Sequence, residues 1–266
     1  MSRENVRIRL PRSAYAQHAL LRQGALGLLY PRRCPFCDEV VGMQPECEVC
    51  APRLRALRLA QQRLAPETHY FGNLDGAAAV FHYDGAVRDA LLRMKYQGCR
   101  WYGRDLGNLM AQGLFGCTFE QKYGILTAKR AFAGVPAYDV VVPVPKSNAA
   151  RGYNVPTLLA CSLSQGLGIP VFDGTLVRSR FKKHQAGLPL DERLANVAGA
   201  FRLAHGAQVE GLRVLLVDDI ITTGATAAAC AAALLENGAD SVFAAALASS
   251  QWQTDEKDEE LVHRLD

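Results

Sequence analysis

Apolar positions along the chain switch repeatedly between strand-like and helix-like spacing. Ala77–Tyr83 is a short apolar run of strand length, and DGAVRDALLRMKY after it sets Val87, Leu91 and Met94 at helical spacing, with Asp84 placed as the cap. A second helix is predicted over Arg104 to about Leu114. YDVVVPVP is an apolar strand stopped by two prolines, and Asn154 opens a helix through Leu163 that ends near Gly166 and Gly168. IPVF is a further candidate strand. Val214–Val217 is an unbroken aliphatic run, the pattern of a parallel strand buried on both faces. A helix over Ala225–Glu236 closes at Asn237-Gly238, and SVFAAALA adds a last strand. This alternation predicts an open, mostly parallel α/β sheet flanked by helices, with right-handed crossovers.

Within that pattern the stretch VLLVDDIITTGAT, Val214–Thr226, carries the candidate chemistry. Asp218 and Asp219 fall at the carboxyl end of a strand, where ligands bind in such sheets. The loop then turns into a helix whose free N–H groups and dipole favour an anion such as a phosphate. Thr222, Thr223 and Thr226 offer hydroxyls, Gly224 lets the backbone come close, and Ala225 opens the helix. Carboxylates repel phosphate oxygens, so the two acids are assigned to sugar hydroxyls or to a metal-bound water. A phosphorylated sugar satisfies the whole set. A Walker loop is excluded, because no Gly-Lys-Ser/Thr follows.

Charge and cysteines change the picture at the N-terminus. The net charge of +4 is too small to imply nucleic acid by itself, but residues 1–66 hold eleven Arg against five acids, about +6, while the tail from Thr254 is about −4. CPFCDEVVGMQPECEVC spaces Cys34-x2-Cys37-x9-Cys47-x2-Cys50, two knuckles able to hold one tetrahedral ion. With all four positions taken by sulfur no place is left for water, so the expected zinc is structural rather than catalytic. The alternative, disulfides or a redox dithiol, sits badly with a chain expected to be cytoplasmic. Cys99, Cys117, Cys161 and Cys230 are isolated and read as small buried hydrophobes. The apolar run around Ala19–Tyr30 is interrupted and too short to span a bilayer. The expected organisation is a basic N-terminal segment with the cysteine module over 1–66, including the leucine-spaced RLRALRLAQQRLAP, then a main domain over 67–250 and a solvated acidic tail over 251–266.

At VLLVDDIITTGAT the chain resembles the phosphoribosyl-pyrophosphate signature of type I phosphoribosyltransferases. CPFC…CEVC, FHYDGAVRDALLRMKYQG, VVPVPKSNAARGYN and HQAGLPLDERLANVAGAF extend the resemblance, in order, to the ComF/GntX-like family, the competence protein F or double zinc ribbon proteins, over about residues 28–248. It departs at Val155, where the family usually has glutamine, and Gly113–Ala137 looks like an insertion. The resemblance implies a type I phosphoribosyltransferase core, with Asp218 and Asp219 on the ribose hydroxyls and Thr222–Thr226 around the 5′-phosphate.

Such a substrate is strongly anionic and needs Mg2+ and cations at its departing pyrophosphate. The candidates are Lys95, Lys146 and Arg151, and RSRFKKHQAG is the candidate lid, with His184 read as a loop histidine. The expected function is transfer of phosphoribosyl to a nitrogen nucleophile, a pentosyl-transferring glycosyltransferase activity. Two other classes stay open: a non-catalytic phosphoribosyl-pyrophosphate sensor, and an accessory protein for DNA uptake whose partner is single-stranded DNA or a helicase.

Overall fold

The computed structural model describes residues 31–42, 47–122, 125–129, 137–145, 151–179 and 199–250. In chain order its elements are α1 (Ala51–Leu57), β1 (Gly76–His82), α2 (Gly85–Tyr96), α3 (Tyr102–Phe115), β2 (Thr118–Lys122), β3 (Ile125–Lys129), β4 (Val140–Pro143), α4 (Val155–Leu167), β5 (Leu176–Arg178), β6 (Phe201–Leu203), β7 (Arg213–Ile221), α5 (Ala225–Leu235) and β8 (Ser241–Ser249). Four of them form a parallel sheet in the order β1-β8-β7-β4.

Both faces of this sheet are covered, which is why Val214–Val217 shows no polar alternation. Leu215 and Val217 join Leu91, Met94, Leu106, Leu159 and Leu163 from α2, α3 and α4 in one core. Val214 and Leu216 join Cys230, Ala231 and Leu234 of α5 in the other. The alanine-rich α5 buries Ala227–Ala231, Ala233 and Leu234.

The sheet edges are treated differently. Beyond α1 the basic segment runs antiparallel to β1, with Leu59 N–H donating to Val80 O (3.0 Å) and Leu64 N–H to Ala77 O (2.8 Å), so an edge that would invite pairing is covered. On the other side β4 is only four residues long, and IPVF, expected as a strand, makes a single parallel bridge, Val141 to Val171. Pro143 has no N–H to extend the ladder. The Gly113–Ala137 stretch holds the end of α3 and an antiparallel β2–β3 hairpin, which its sequence did not announce. The β5–β6 pair flanks residues 180–198, so the candidate lid and His184 fall almost wholly outside the described residues, as does Lys146. Among the described residues no helix is long and apolar enough to cross a membrane.

Helices α3 and α4 touch almost backbone to backbone. A Cβ added at Gly107 would stand 2.8 Å from Leu159 O and from Ser162 Cβ. Helix propensity alone would make Gly107→Ala stabilising by about 1 kcal/mol. A backbone carbonyl cannot swing aside, so the overpacking cost of about 1–3 kcal/mol is expected to win. Urea unfolding of Gly107→Ala should show a net loss of stability; a gain would mean that the two helices separate freely.

Candidate functional site

The site arises where one strand outruns its neighbour. β4 ends with Pro143 opposite Val217, whereas β7 continues to Ile221 along β8. Asp218 and Asp219 therefore belong to β7 itself and lie past the end of β4, not past the end of their own strand. Val144 N–H still donates to Val217 O (2.8 Å), and Val144 O is taken by Asn154 Nδ2 (2.8 Å), which turns the chain away from β7 into α4. A small depression, open to solvent, is lined by Asp218, Ile220, Ile221, Thr222, Gly224, Thr226 and Ala227.

The two acids are in different circumstances. Asp219 is buried, 6% exposed, and its Oδ2 is 2.6 Å from Lys95 Nζ. Its N–H donates to Asp218 Oδ1 (2.8 Å). Asp218 is half-buried on the pocket wall, and its carboxyl is pushed well above the usual carboxylate range, first by burial and then by the negative charge of Asp219, with Lys95 opposing. One ammonium against two carboxylates leaves room for a cation or for hydroxyl donors.

The loop after β7 is shaped by close backbone approach. Gly224 has φ +86, and a Cβ there would lie 2.3 Å from Tyr70 O, so both the conformation and the space demand glycine. The constraint comes from Tyr70, whose N–H also donates to Thr223 O (2.7 Å), and not from a ligand alone. Gly224 is the cap of α5 and has no side chain to satisfy the first-turn N–H groups, and no acid lies in that turn. Thr222 and Thr226 are exposed beside it, while Thr223 Oγ1 accepts weakly from Ala225 N–H (3.4 Å). The arrangement suits an anion.

Beneath it lies a network with no local signature. His69 Nε2 is 2.8 Å from Ser249 Oγ, and that hydroxyl donates to Ile221 O (2.9 Å), tying the segment before Tyr70 to the end of β7. Burial lowers the pKa of His69, so it stays neutral near pH 7. ETHYFGNLDG has no periodicity or motif that points to such a role.

Of the predicted cations, Lys95 is at Asp219, and Arg151 Nε donates to Lys95 O (2.8 Å) with its guanidinium 5.7 Å from the Tyr96 ring centre. Lys95 thus stands at the acids, and Arg151 lies against the backbone and the Tyr96 ring of the same turn.

The four spaced cysteines also converge. Cys34 Sγ and Cys50 Sγ are 3.8 Å apart, Cys37 Sγ and Cys47 Sγ 3.7 Å, and all four sulfurs lie within 4.8 Å of one another. Sulfurs each about 2.3 Å from a central zinc would sit about 3.8 Å apart, so the donor set and its spacing fit a tetrahedral metal. Burial pushes the Cys34 thiol up to about 11 and Cys50 higher still, so a metal must displace their protons. Of the isolated cysteines, Cys117 and Cys230 are buried as expected, Cys99 is half-buried and Cys161 is exposed.

The phosphoribosyl transferase domain family matches residues 139–265, which hold β4, β7, the two acids and the loop after them. The chain is 38% identical over 121 residues to the DNA utilization protein YhgH of Salmonella typhi, covering 44% of this chain and 52% of that one, so it matches about half the length of that relative. It is 28% identical to competence protein F of Haemophilus influenzae, over 73% of this chain and 80% of the other. With competence protein ComFC of Bacillus subtilis it shares 29% identity over 77% of this chain and 72% of the other. The four-cysteine cluster and the matched domain, together with these relatives, support a likeness to ComF-type proteins.

The raised pKa of Asp218 has a measurable consequence. The fold opposes its ionisation, so the stability contributed is present below the ordinary carboxyl value of 3.8 and is lost as pH rises through the raised pKa. Asp218→Asn should therefore be more stable than wild type at pH 8, with the difference vanishing near pH 4. Urea titrations across that range check it, and an Asn variant less stable at pH 8 would contradict it.

Proposed function

We propose that this chain binds phosphoribosyl pyrophosphate with Mg2+ at the end of β7 and transfers its phosphoribosyl group to a nitrogen nucleophile, releasing pyrophosphate. The observation that carries the reading is the pair Asp218 and Asp219, standing past the end of β4 beside the uncapped start of α5. The loop Thr222–Thr226 receives the 5′-phosphate through first-turn N–H groups and the Thr222 and Thr226 hydroxyls. The carboxylates accept from the ribose hydroxyls, which charged acceptors do better than neutral ones. As the new C–N bond forms, the bond from ribose C1 to the pyrophosphate oxygen breaks, the electron pair leaves with pyrophosphate, and the nitrogen's proton passes to solvent. Lys95, Arg151 and Lys146 supply positive charge for the departing group. Bound Mg2+ would neutralise pyrophosphate oxygens, held toward the acids.

The four cysteines hold zinc in this reading, as a fixed cross-link of the N-terminal segment. One zinc per chain is expected in anaerobically purified protein, and Cys50→Ser should lose it; zinc-free wild type would sink the assignment.

A second reading, an accessory role in DNA uptake, is favoured by the names of the relatives and by Trp101 and Tyr96, exposed at 60% and 72% near Arg100. Aromatic rings among cations suit single-stranded DNA. Pyrophosphate release with a panel of bases separates catalysis from a sensor that only binds.

Two variants separate the roles of the acids and the loop. Asp218→Asn with Asp219→Asn should weaken phosphoribosyl pyrophosphate markedly while sparing sulfate. Thr226→Val, which removes a hydroxyl donor to a charged group, should cost about 1.5–3 kcal/mol of affinity for both ligands. Equal loss of sulfate and phosphoribosyl pyrophosphate in the double Asn variant, read by calorimetry, would show that the acids only support the loop.

A further inference from the structure

The last turn of α2 joins the cysteine module to the acidic pair. Arg93 and Lys95 are two residues apart, so at 3.6 residues per turn their side chains leave the helix on nearly opposite sides. Arg93 Nη2 donates at 2.7 Å to both Pro35 O and Phe36 O, the carbonyls inside the Cys34–Cys37 knuckle. Phe36 N–H in turn donates to Cys34 Sγ (3.4 Å), so the residue that accepts from Arg93 also steadies a sulfur. The Arg93 guanidinium lies 5.6 Å from the centre of the Tyr102 ring, and Tyr102 OH donates to Asp38 Oδ1 (2.6 Å), just past the knuckle. On the other side Lys95 Nζ is at Asp219 Oδ2. Between them Met94 O accepts from Tyr153 OH and Lys95 O from Arg151 Nε. Three consecutive residues of one turn, through two side chains and two carbonyls, thus link the knuckle, the chain after β4 and the end of β7.

We propose that Arg93 is a positioning residue: a metal on the four cysteines fixes the Pro35 and Phe36 carbonyls, these fix the end of α2 through Arg93, and α2 sets where the Lys95 ammonium stands against Asp219. Metal occupancy and ligand binding at the acids are then coupled, although the two sites share no ligand. The proposal rests on reading the acids as the phosphoribosyl-pyrophosphate site. Loss of the metal removes the cross-link that holds the knuckle's backbone. Arg93 then loses a fixed anchor, and the turn that carries Lys95 keeps its core packing through Met94 and its bonds to Tyr153, Arg151 and Asp219 without the tie to the knuckle. Coupling of this kind is reciprocal, so the ligand must tighten the metal by the factor by which the metal tightens the ligand.

The test titrates phosphoribosyl pyrophosphate with Mg2+ into full-length wild type, Arg93→Ala and Tyr102→Phe, and follows zinc affinity against a chromophoric chelator with and without that ligand. Arg93→Ala should weaken the ligand about 5- to 150-fold, the usual span of such couplings, and leave sulfate binding unchanged. In wild type the ligand should raise zinc affinity by a similar factor, and in Arg93→Ala it should not. Tyr102→Phe keeps the ring under Arg93 but removes the hydroxyl bond to Asp38, so a smaller change of the same sign is expected even if Arg93→Ala fails to fold. Ligand affinity unchanged in both variants, or zinc affinity in wild type indifferent to the ligand, overturns the coupling alone. Wild type that binds no phosphoribosyl pyrophosphate overturns the coupling and the functional reading together.

Discussion

Because β4 stops after four residues while β7 runs for nine, Asp218–Ile221 have a strand partner on one side only. That mismatch in length opens the crevice and keeps Asp218 at its wall, with Asp219 buried beside it against Lys95. Val214–Val217 anchors them from below, with side chains in both cores. The rest of the site follows from this. Tyr70 closes over the loop, which forces glycine at position 224, and α5 begins there with its N–H groups uncapped.

Holding two acids side by side in such surroundings works against stability. Burial and mutual repulsion raise Asp218, and among the described residues the Asp219 N–H and Lys95 oppose them. A carboxylate kept at a pocket wall against burial and repulsion is the kind of place where stability and function usually oppose each other. Lys95 is itself held from behind by the chain of bonds through Arg93 to the cysteine knuckle. The small module and the sheet therefore act on the same corner.

Much of this was legible in the sequence because it was written in local patterns. The aliphatic run ending in Asp218-Asp219, the loop to Thr226 and the two CxxC pairs each encode their geometry within a few residues. Helix α2 was legible from Val87, Leu91 and Met94 and its Asp84 cap, and Asp84 Oδ1 does accept from Gly85 N–H. What stayed hidden depends on residues far apart in the chain. His69 reaches Ser249, Tyr70 meets Gly224, and Arg93 reaches Pro35, and no spacing rule predicts such pairs. Gly224 was read as a place for a ligand, whereas the nearest constraint is a backbone carbonyl of the protein itself. The β2–β3 hairpin was missed because TFEQK and ILTAK are short and lack clean alternation.

The central claim is that the end of β7 is a binding site for phosphoribosyl pyrophosphate with Mg2+. Thermal unfolding in the presence of both tests it most directly. Ligand that binds only the native state, at about 100 times its dissociation constant, should add roughly 2.7 kcal/mol of stability and raise the melting temperature, while ribose without phosphates should not. No shift at millimolar phosphoribosyl pyrophosphate with Mg2+ would contradict the account.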